Sequence, residues 1–224
     1  MSSSVPIHPA ATVILLRRGS QGLSVLMGQR GAGAAFMPGK FVFPGGRLDD
    51  TDHGVALTDA LPTPCSERLR QHSPDGLATP LALAAIRELW EETGQILGAP
   101  ATWDGPMPDA WQSYAATGHR PSAAQMQFFF RAITPPGNTR RFDARFFVID
   151  AQALRSNPDD FSRASDELSH LQWVPLASAT TLDLPFITTI VLSEIVALGQ
   201  ACPPSDGVPF FDNSTDRPHF KRLI

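Results

Sequence analysis

The sequence predicts an α/β protein, an α/β/α sandwich with a mixed central sheet. Three observations predict it. Strand-like and helix-like runs mix without the regular βαβ alternation of a doubly wound parallel sheet. A helix near the middle of the chain has a stripe of Ala82, Ala85, Ile86 and Leu89, which must be buried against another layer. A second, largely apolar helix is expected over 184–198 and packs on the sheet.

Residues 1–10 are polar and proline-bearing and read as a loose arm. Residues 12–18 read as a buried strand and 23–30 as a second, joined by the turn Gly19-Ser20-Gln21-Gly22 into a hairpin. The glycine- and alanine-rich stretch 31–39 reads as a flexible loop. A short apolar strand at 41–43 then enters the turn Pro44-Gly45-Gly46. Glycine pairs occur where backbone must approach another group closely or take positive φ. From Asp50 to about Asp75 the chain is polar, with Pro62, Pro64 and Pro74, and reads as a surface excursion with one helical turn at most, over 66–72. Thr79 and Pro80 supply an N-cap and a first-turn proline for the central helix, and Gly94 ends it.

Residues 109–116 read as a short helix bearing Trp111 and Tyr114. The stretch 121–130 fits a helix at its start and a strand at its end; 133–138 is a turn, and 141–149 and 166–174 are strands. Beyond Cys202 the prolines favour an extended tail. The expected organisation is an arm over 1–10, one domain over 11–200 with an excursion at about 50–78, and a tail over 201–224.

At 224 residues the chain is long enough for one well-cored domain. Its net charge of -4 argues against a general nucleic-acid-binding surface. Cys65 and Cys202 lack CxxC spacing and read as incidental thiols of a reducing compartment. No window reaches the roughly 18 consecutive apolar residues of a membrane helix. Met1-Ser2-Ser3-Ser4 lacks the charged and apolar segments of a secretory signal. A soluble cytoplasmic protein without membrane or nucleic-acid partners is expected; homodimerisation is left open.

The chemistry concentrates in Arg87-Glu88-Leu89-Trp90-Glu91-Glu92-Thr93-Gly94. Glu88, Glu91 and Glu92 fall at i, i+3 and i+4, so they share one helix face, where like charges repel. Glu91 and Glu92 also sit at the negative end of the helix dipole. Breaking two local rules at once marks a functional site. A hard divalent cation, Mg²⁺ or Mn²⁺, would remove both penalties.

This octet, with Pro44-Gly45-Gly46 before it, resembles the Nudix box, G-x5-E-x7-R-E-U-x-E-E-x-G-U with U a bulky aliphatic. The second half matches at Arg87, Glu88, Leu89, Glu91, Glu92 and Gly94. Three departures stand out. Gly46 to Arg87 spans 41 positions, 27 more than the pattern's 14. The first glutamate is missing; Asp49 and Asp52 are the nearby acids, and Asp52 falls six after Gly46. Gln95 replaces the final aliphatic. An interrupted box resembles the branch that includes the animal CoA diphosphatases, as do Phe41-Val42-Phe43-Pro44-Gly45-Gly46, Thr134-Pro135-Pro136 and the arginine-rich run from Arg140 to Phe147.

The resemblance implies hydrolysis of a diphosphate linked to another group, with divalent metal as cofactor and a small nucleotide as substrate. Glu88, Glu91 and Glu92 are the implied metal ligands and catalytic carboxylates, with Glu88 the preferred general base. Arg87 is implied to orient a carboxylate. Gly45 and Gly46 are implied to bring a backbone carbonyl to the metal, and Glu167 is the candidate for a further acidic ligand. Arg140, Arg141 and Arg145 are candidates for a substrate's extra phosphate, such as the 3′-phosphate of CoA. CoA or acyl-CoA is the first substrate expected. ADP-ribose, NAD(H) or a dinucleotide are alternatives with the same chemistry, and a non-catalytic nucleotide-binding domain is the rival.

Overall fold

From Ala11 to Leu16 every residue except Thr12 is buried, and the sheet is built outward from this run. The computed structural model describes residues 5–20, 22–34, 36–199 and 206–224. In chain order the elements are β1 (Ile7–Gly19), β2 (Gly22–Arg30), β3 (Phe41–Val42), β4 (Gly45–Arg47), α1 (Thr63–Arg70), α2 (Ala78–Thr93), β5 (Gly98–Pro100), α3 (Gln112–Ala115), β6 (His119–Pro121), β7 (Gln127–Ile133), β8 (Arg141–Asp150), β9 (Leu168–Pro175), α4 (Leu176–Ala179), α5 (Phe186–Leu198), β10 (Val208–Asp212) and β11 (His219–Leu223). Short 3-10 turns lie at Asp50–Gly54, Asp109–Trp111 and Ala151–Ala153.

Nine strands form the main sheet in the order β11-β10-β7-β8-β1-β2-β3, with β4 also paired to β1 and β9 to β2. β1 runs parallel to β8, and β7 parallel to β10. β1 is antiparallel to β2 and β4, and β7 to β8, so the sheet is mixed. Alternate residues point to opposite faces. Ala11, Val13 and Leu15 join Phe147 and Ile149 under α2. Ile14 and Leu16 join Phe146 and Val148 under α5. The two helical layers complete the α/β/α sandwich that the sequence predicts.

α2 is buried on nearly every side, from Pro80 through Trp90 and again at Glu92 and Thr93. The sheet covers one side; Val55, Leu61, Cys65, Leu69, Trp111 and Tyr114 cover the other. Trp90 donates from Nε1 to Ser113 Oγ at 2.9 Å and meets Tyr114 edge-on at 5.9 Å.

Several expectations are corrected. Ile7 to Ala10 are not a loose arm: they pair with Arg141 to Ala144 along β8, and residues 1–4 lie outside the described residues. The stretch after 205 is not a tail. β10 and β11 close one edge of the sheet and put Val208, Phe210 and Leu223 in the core; 200–205, including Cys202, lie outside the described residues. The excursion at 50–78 contains α1 and buries apolar side chains against α2. Thr79 and Pro80 fall inside the first turn, with Leu77 at the N-cap. The ambiguous stretch at 121–130 is strand at both ends, β6 and β7, with no helix between. Gln21 and Ala35, in the expected turn and loop, also lie outside the described residues. No helix among the described residues is long and apolar enough to cross a membrane.

Candidate active site

The carboxylates lie on the last turns of α2, where the turn before β4 meets them. Gly94 ends the helix in the left-handed conformation, φ 71°, and its N–H donates to Trp90 O at 2.7 Å. Gly45 N–H donates to Glu92 Oε2 at 2.7 Å. Gly46 lies flat against Glu88: a Cβ there would sit 2.3–2.6 Å from the Glu88 carboxylate, so no other residue fits without displacing it. Pairing of Gly45 and Gly46 with Thr12 and Ala11 of β1 holds this turn in place. The two glycines thus touch the carboxylates that the resemblance assigns to the same site.

Arg87 sits at the hub and is nearly out of solvent. Its Nε and Nη2 donate to Asp52 Oδ1 and Oδ2 at 2.9 and 3.0 Å. Its Nη1 donates to Glu88 Oε1 at 2.9 Å and Glu91 Oε2 at 3.0 Å, and its Nη2 also to Arg47 O at 3.1 Å. Every donor faces protein, so Arg87 orients Glu88 and Glu91. Burial opposes its charge, but the Asp52 hydrogen bonds and the Glu88, Asp52 and Glu91 charges outweigh that and hold it protonated. Asp52 is fully buried, and its Oδ2 accepts from Asp49 N–H at 3.0 Å, closing a capping box on the Asp50–Gly54 turn.

The three glutamates all have raised pKa values. Burial pushes Glu88 up to about 7, with Arg87 pulling down and Glu91 adding to the rise. Glu92, 1% exposed, is pushed well above the carboxylate range by burial and by Glu88. Burial also raises Glu91, against the pull of Arg87. Glu92 Oε1 is buried without a hydrogen-bond partner. Such an oxygen is costly unless another group meets it.

Glu167 joins this group from the other side. Arg30 Nη2 donates to Glu167 Oε1 at 3.2 Å, and the Glu167 charge is close enough to raise Glu88, Glu91 and Glu92. Arg47, Leu48, Asp49, Asp50, Arg87 and Glu88 wall a polar pocket of about 320 Å³. The donors fit a hard divalent cation: carboxylate oxygens, one of them unpartnered, with only Arg87 and Arg30 as countercharge among the described residues. Among the described residues no group of three or more His, Cys, Asp or Glu side chains is arranged to hold a metal ion by itself. Mg²⁺ is usually held by few protein ligands and completes its shell with water and substrate phosphate, so the carboxylates here would act together with those.

The β8 arginines are a correction. Arg145, 1% exposed, pairs with Asp143 at 2.9 Å and donates to Ser73 Oγ at 2.9 Å. Arg141 is buried, with its Nε on Thr134 O at 3.0 Å and Nη2 on Asn213 O at 2.8 Å. Both guanidiniums are engaged by the protein's own groups. Arg140 is exposed in the turn before β8. Sequence reasoning missed Arg30 and Arg47 as the arginines beside the carboxylates and gave Asp52 no role. Its spacing of six after Gly46, the box's own, was the signal for Asp52.

No protein-family model matches the chain. The structure is similar to that of a Nudix hydrolase from Alicyclobacillus acidocaldarius, at 27% sequence identity and a TM-score of 0.65, covering 90% of this chain and 94% of that one. It also shares its fold with a MutT protein from Methanosarcina mazei Go1, at 15% identity and a TM-score of 0.52, covering 89% of this chain and 99% of that one. The fold, with the matching motif residues on α2, places the chain in the Nudix hydrolase superfamily.

Proposed function

We propose that the protein is a metal-dependent diphosphatase that cleaves the diphosphate linkage of a small nucleoside diphosphate derivative. The buried, unpartnered Oε1 of Glu92, set among carboxyls whose pKa values are all raised, carries this reading. A bound Mg²⁺ or Mn²⁺ would offset phosphate charge and make water a nucleophile near neutral pH. Glu88, Glu91 and Glu92 would hold the ion, with Glu167 a further acidic donor. Gly45 and Gly46 would add a backbone carbonyl ligand, a role supported by the close approach of this turn to Glu92 and Glu88. Glu88 lines the polar pocket, where its carboxylate would act as general base and take the proton of the attacking water. Arg87 keeps Glu88 and Glu91 aimed. Arg47, which lines the pocket, and Arg30, which reaches Glu167, are the guanidiniums placed to meet phosphate oxygens.

CoA or acyl-CoA remains the first substrate to test. With Arg141 and Arg145 engaged elsewhere, its support is the resemblance of the interrupted box. ADP-ribose, NADH and diadenosine polyphosphates belong in the same panel. Purified protein is incubated with Mg²⁺ or Mn²⁺ and each compound in turn, and products are resolved by liquid chromatography. Preferential CoA cleavage, reduced by orders of magnitude in Glu92→Gln, supports the full reading. Cleavage of another compound keeps the chemistry and discards CoA. Tight nucleotide binding without metal-dependent cleavage favours the non-catalytic alternative.

A further inference from the structure

Glu167 has no regular element under it, yet two separate features fix where it stands. The first is Gln95, where the box pattern has an aliphatic. Gln95 is fully buried. Its Nε2 donates to Asn157 O at 3.2 Å and Asp160 O at 2.9 Å, and its Oε1 accepts from Ser156 Oγ at 2.7 Å. An aliphatic side chain could make none of these bonds. They dock the segment between β8 and β9 on the end of α2. Ser165 N–H extends the docking by donating to Glu91 O at 2.8 Å, two residues before Glu167.

The second feature is a bulge between β2 and β9. Met27 pairs with Gln172, but Gln29 pairs with Ser169, so Gly28 alone faces both His170 and Leu171. His170, inside the bulge, takes the left-handed conformation, with φ 51°. A Cβ on Gly28 would come within 2.9 Å of Leu168 Cβ and 3.0 Å of Leu171 Cδ2. The extra residue moves the register by one, which exchanges the faces of the side chains beyond it. Arg30 is consequently opposite Leu168, and Glu167 comes within reach of Arg30.

We propose that Gln95 and the Gly28–His170 bulge form a two-point clamp that positions Glu167 beside Glu88, Glu91 and Glu92 for the divalent cation. The inference rests on the metal-dependent reading of the site. Gln95 and Gly28 are positioning residues, since each acts through Glu167.

The test is Mn²⁺ affinity, read from free Mn²⁺ by electron paramagnetic resonance without substrate. The proteins are the wild type, Glu167→Gln, Gln95→Leu, Gly28→Ala, the Gln95→Leu/Glu167→Gln double variant and Glu92→Gln. Supporting partners of metal ligands are typically worth about 10–100-fold in affinity, so Gln95→Leu and Gly28→Ala are expected to weaken Mn²⁺ by about tenfold. Glu167→Gln should match them, and the double variant should bind no more weakly than Glu167→Gln alone. Gln95→Leu restores the pattern's aliphatic, so it keeps the test valid if Gly28→Ala folds poorly. Wild-type affinity in Gln95→Leu, or losses that add in the double variant, would overturn the clamp. If Glu92→Gln abolishes binding while Glu167→Gln and Gln95→Leu leave it intact, the clamp alone fails. If Glu92→Gln also binds like wild type, the metal site fails with it.

Discussion

Asp52 is one methylene shorter than the glutamate of the box pattern, and the structure gives it the role of sole buried counter-ion to Arg87 Nε. Its two oxygens take two parallel hydrogen bonds from one guanidinium, the strong geometry for such pairs. Removing one partner of a buried pair leaves the other charge uncompensated and costs about 3–5 kcal/mol. Asp52→Asn keeps the shape and removes the charge. It is expected to lower unfolding free energy by about 3 kcal/mol in urea titrations. It should lower turnover too, because Arg87 would lose the anchor from which it aims Glu88 and Glu91. Unchanged stability would mean that Arg47 O and the glutamates suffice to hold Arg87.

At the scale of elements, α2 was the most legible part of the chain. Its glycine cap and its three clustered carboxylates each leave a local signature and stand where the spacing implies, whereas the apolar stripe understated a helix buried on nearly every side. The same helix leads to a pH prediction. The Glu88 carboxyl titrates near 7 when folded, against about 4.5 for an ordinary glutamate. Between those values the folded chain holds a proton that the unfolded chain has released, so metal-free stability falls as pH rises through that window. Above about pH 7 the loss is complete, and the elevated Glu92 acts in the same direction. A divalent cation would take the place of those protons. Mg²⁺ is therefore expected to raise the melting temperature at pH 8 and to have little effect at pH 5. A Mg²⁺ effect independent of pH would show that the ion binds away from these carboxyls.

For the whole molecule, what escaped sequence reading was long-range. A run of arginines announces charge but not its partners, and here Arg141 reaches Asn213 and Arg145 reaches Ser73, each 72 residues away. Arg131 and Arg145 share one carboxylate, Asp143, at 2.8 and 2.9 Å. Arg131 also donates to Gln71 O at 3.0 Å and His72 O at 2.9 Å, and its guanidinium lies 4.3 Å from the Phe210 ring centroid. Ile224 N–H reaches Gln71 Oε1 at 3.1 Å. One half-buried acid, Asp143, and the two buried arginines on it therefore tie together β7, β8, the segment after α1 and the β10–β11 edge, which is why the excursion and the supposed tail belong to the core. Two guanidiniums to one carboxylate is an unbalanced ratio, and burial pulls Arg145 down to about 10 in spite of Asp143. Asp143→Asn would leave both arginines without countercharge, at a cost of about 3–5 kcal/mol. Hydrogen exchange should then quicken first across 70–76 and 208–224, ahead of α2, because those backbones depend on the cluster and α2 on apolar packing. Uniform quickening across the chain would show that the cluster contributes to global stability without tying these segments down.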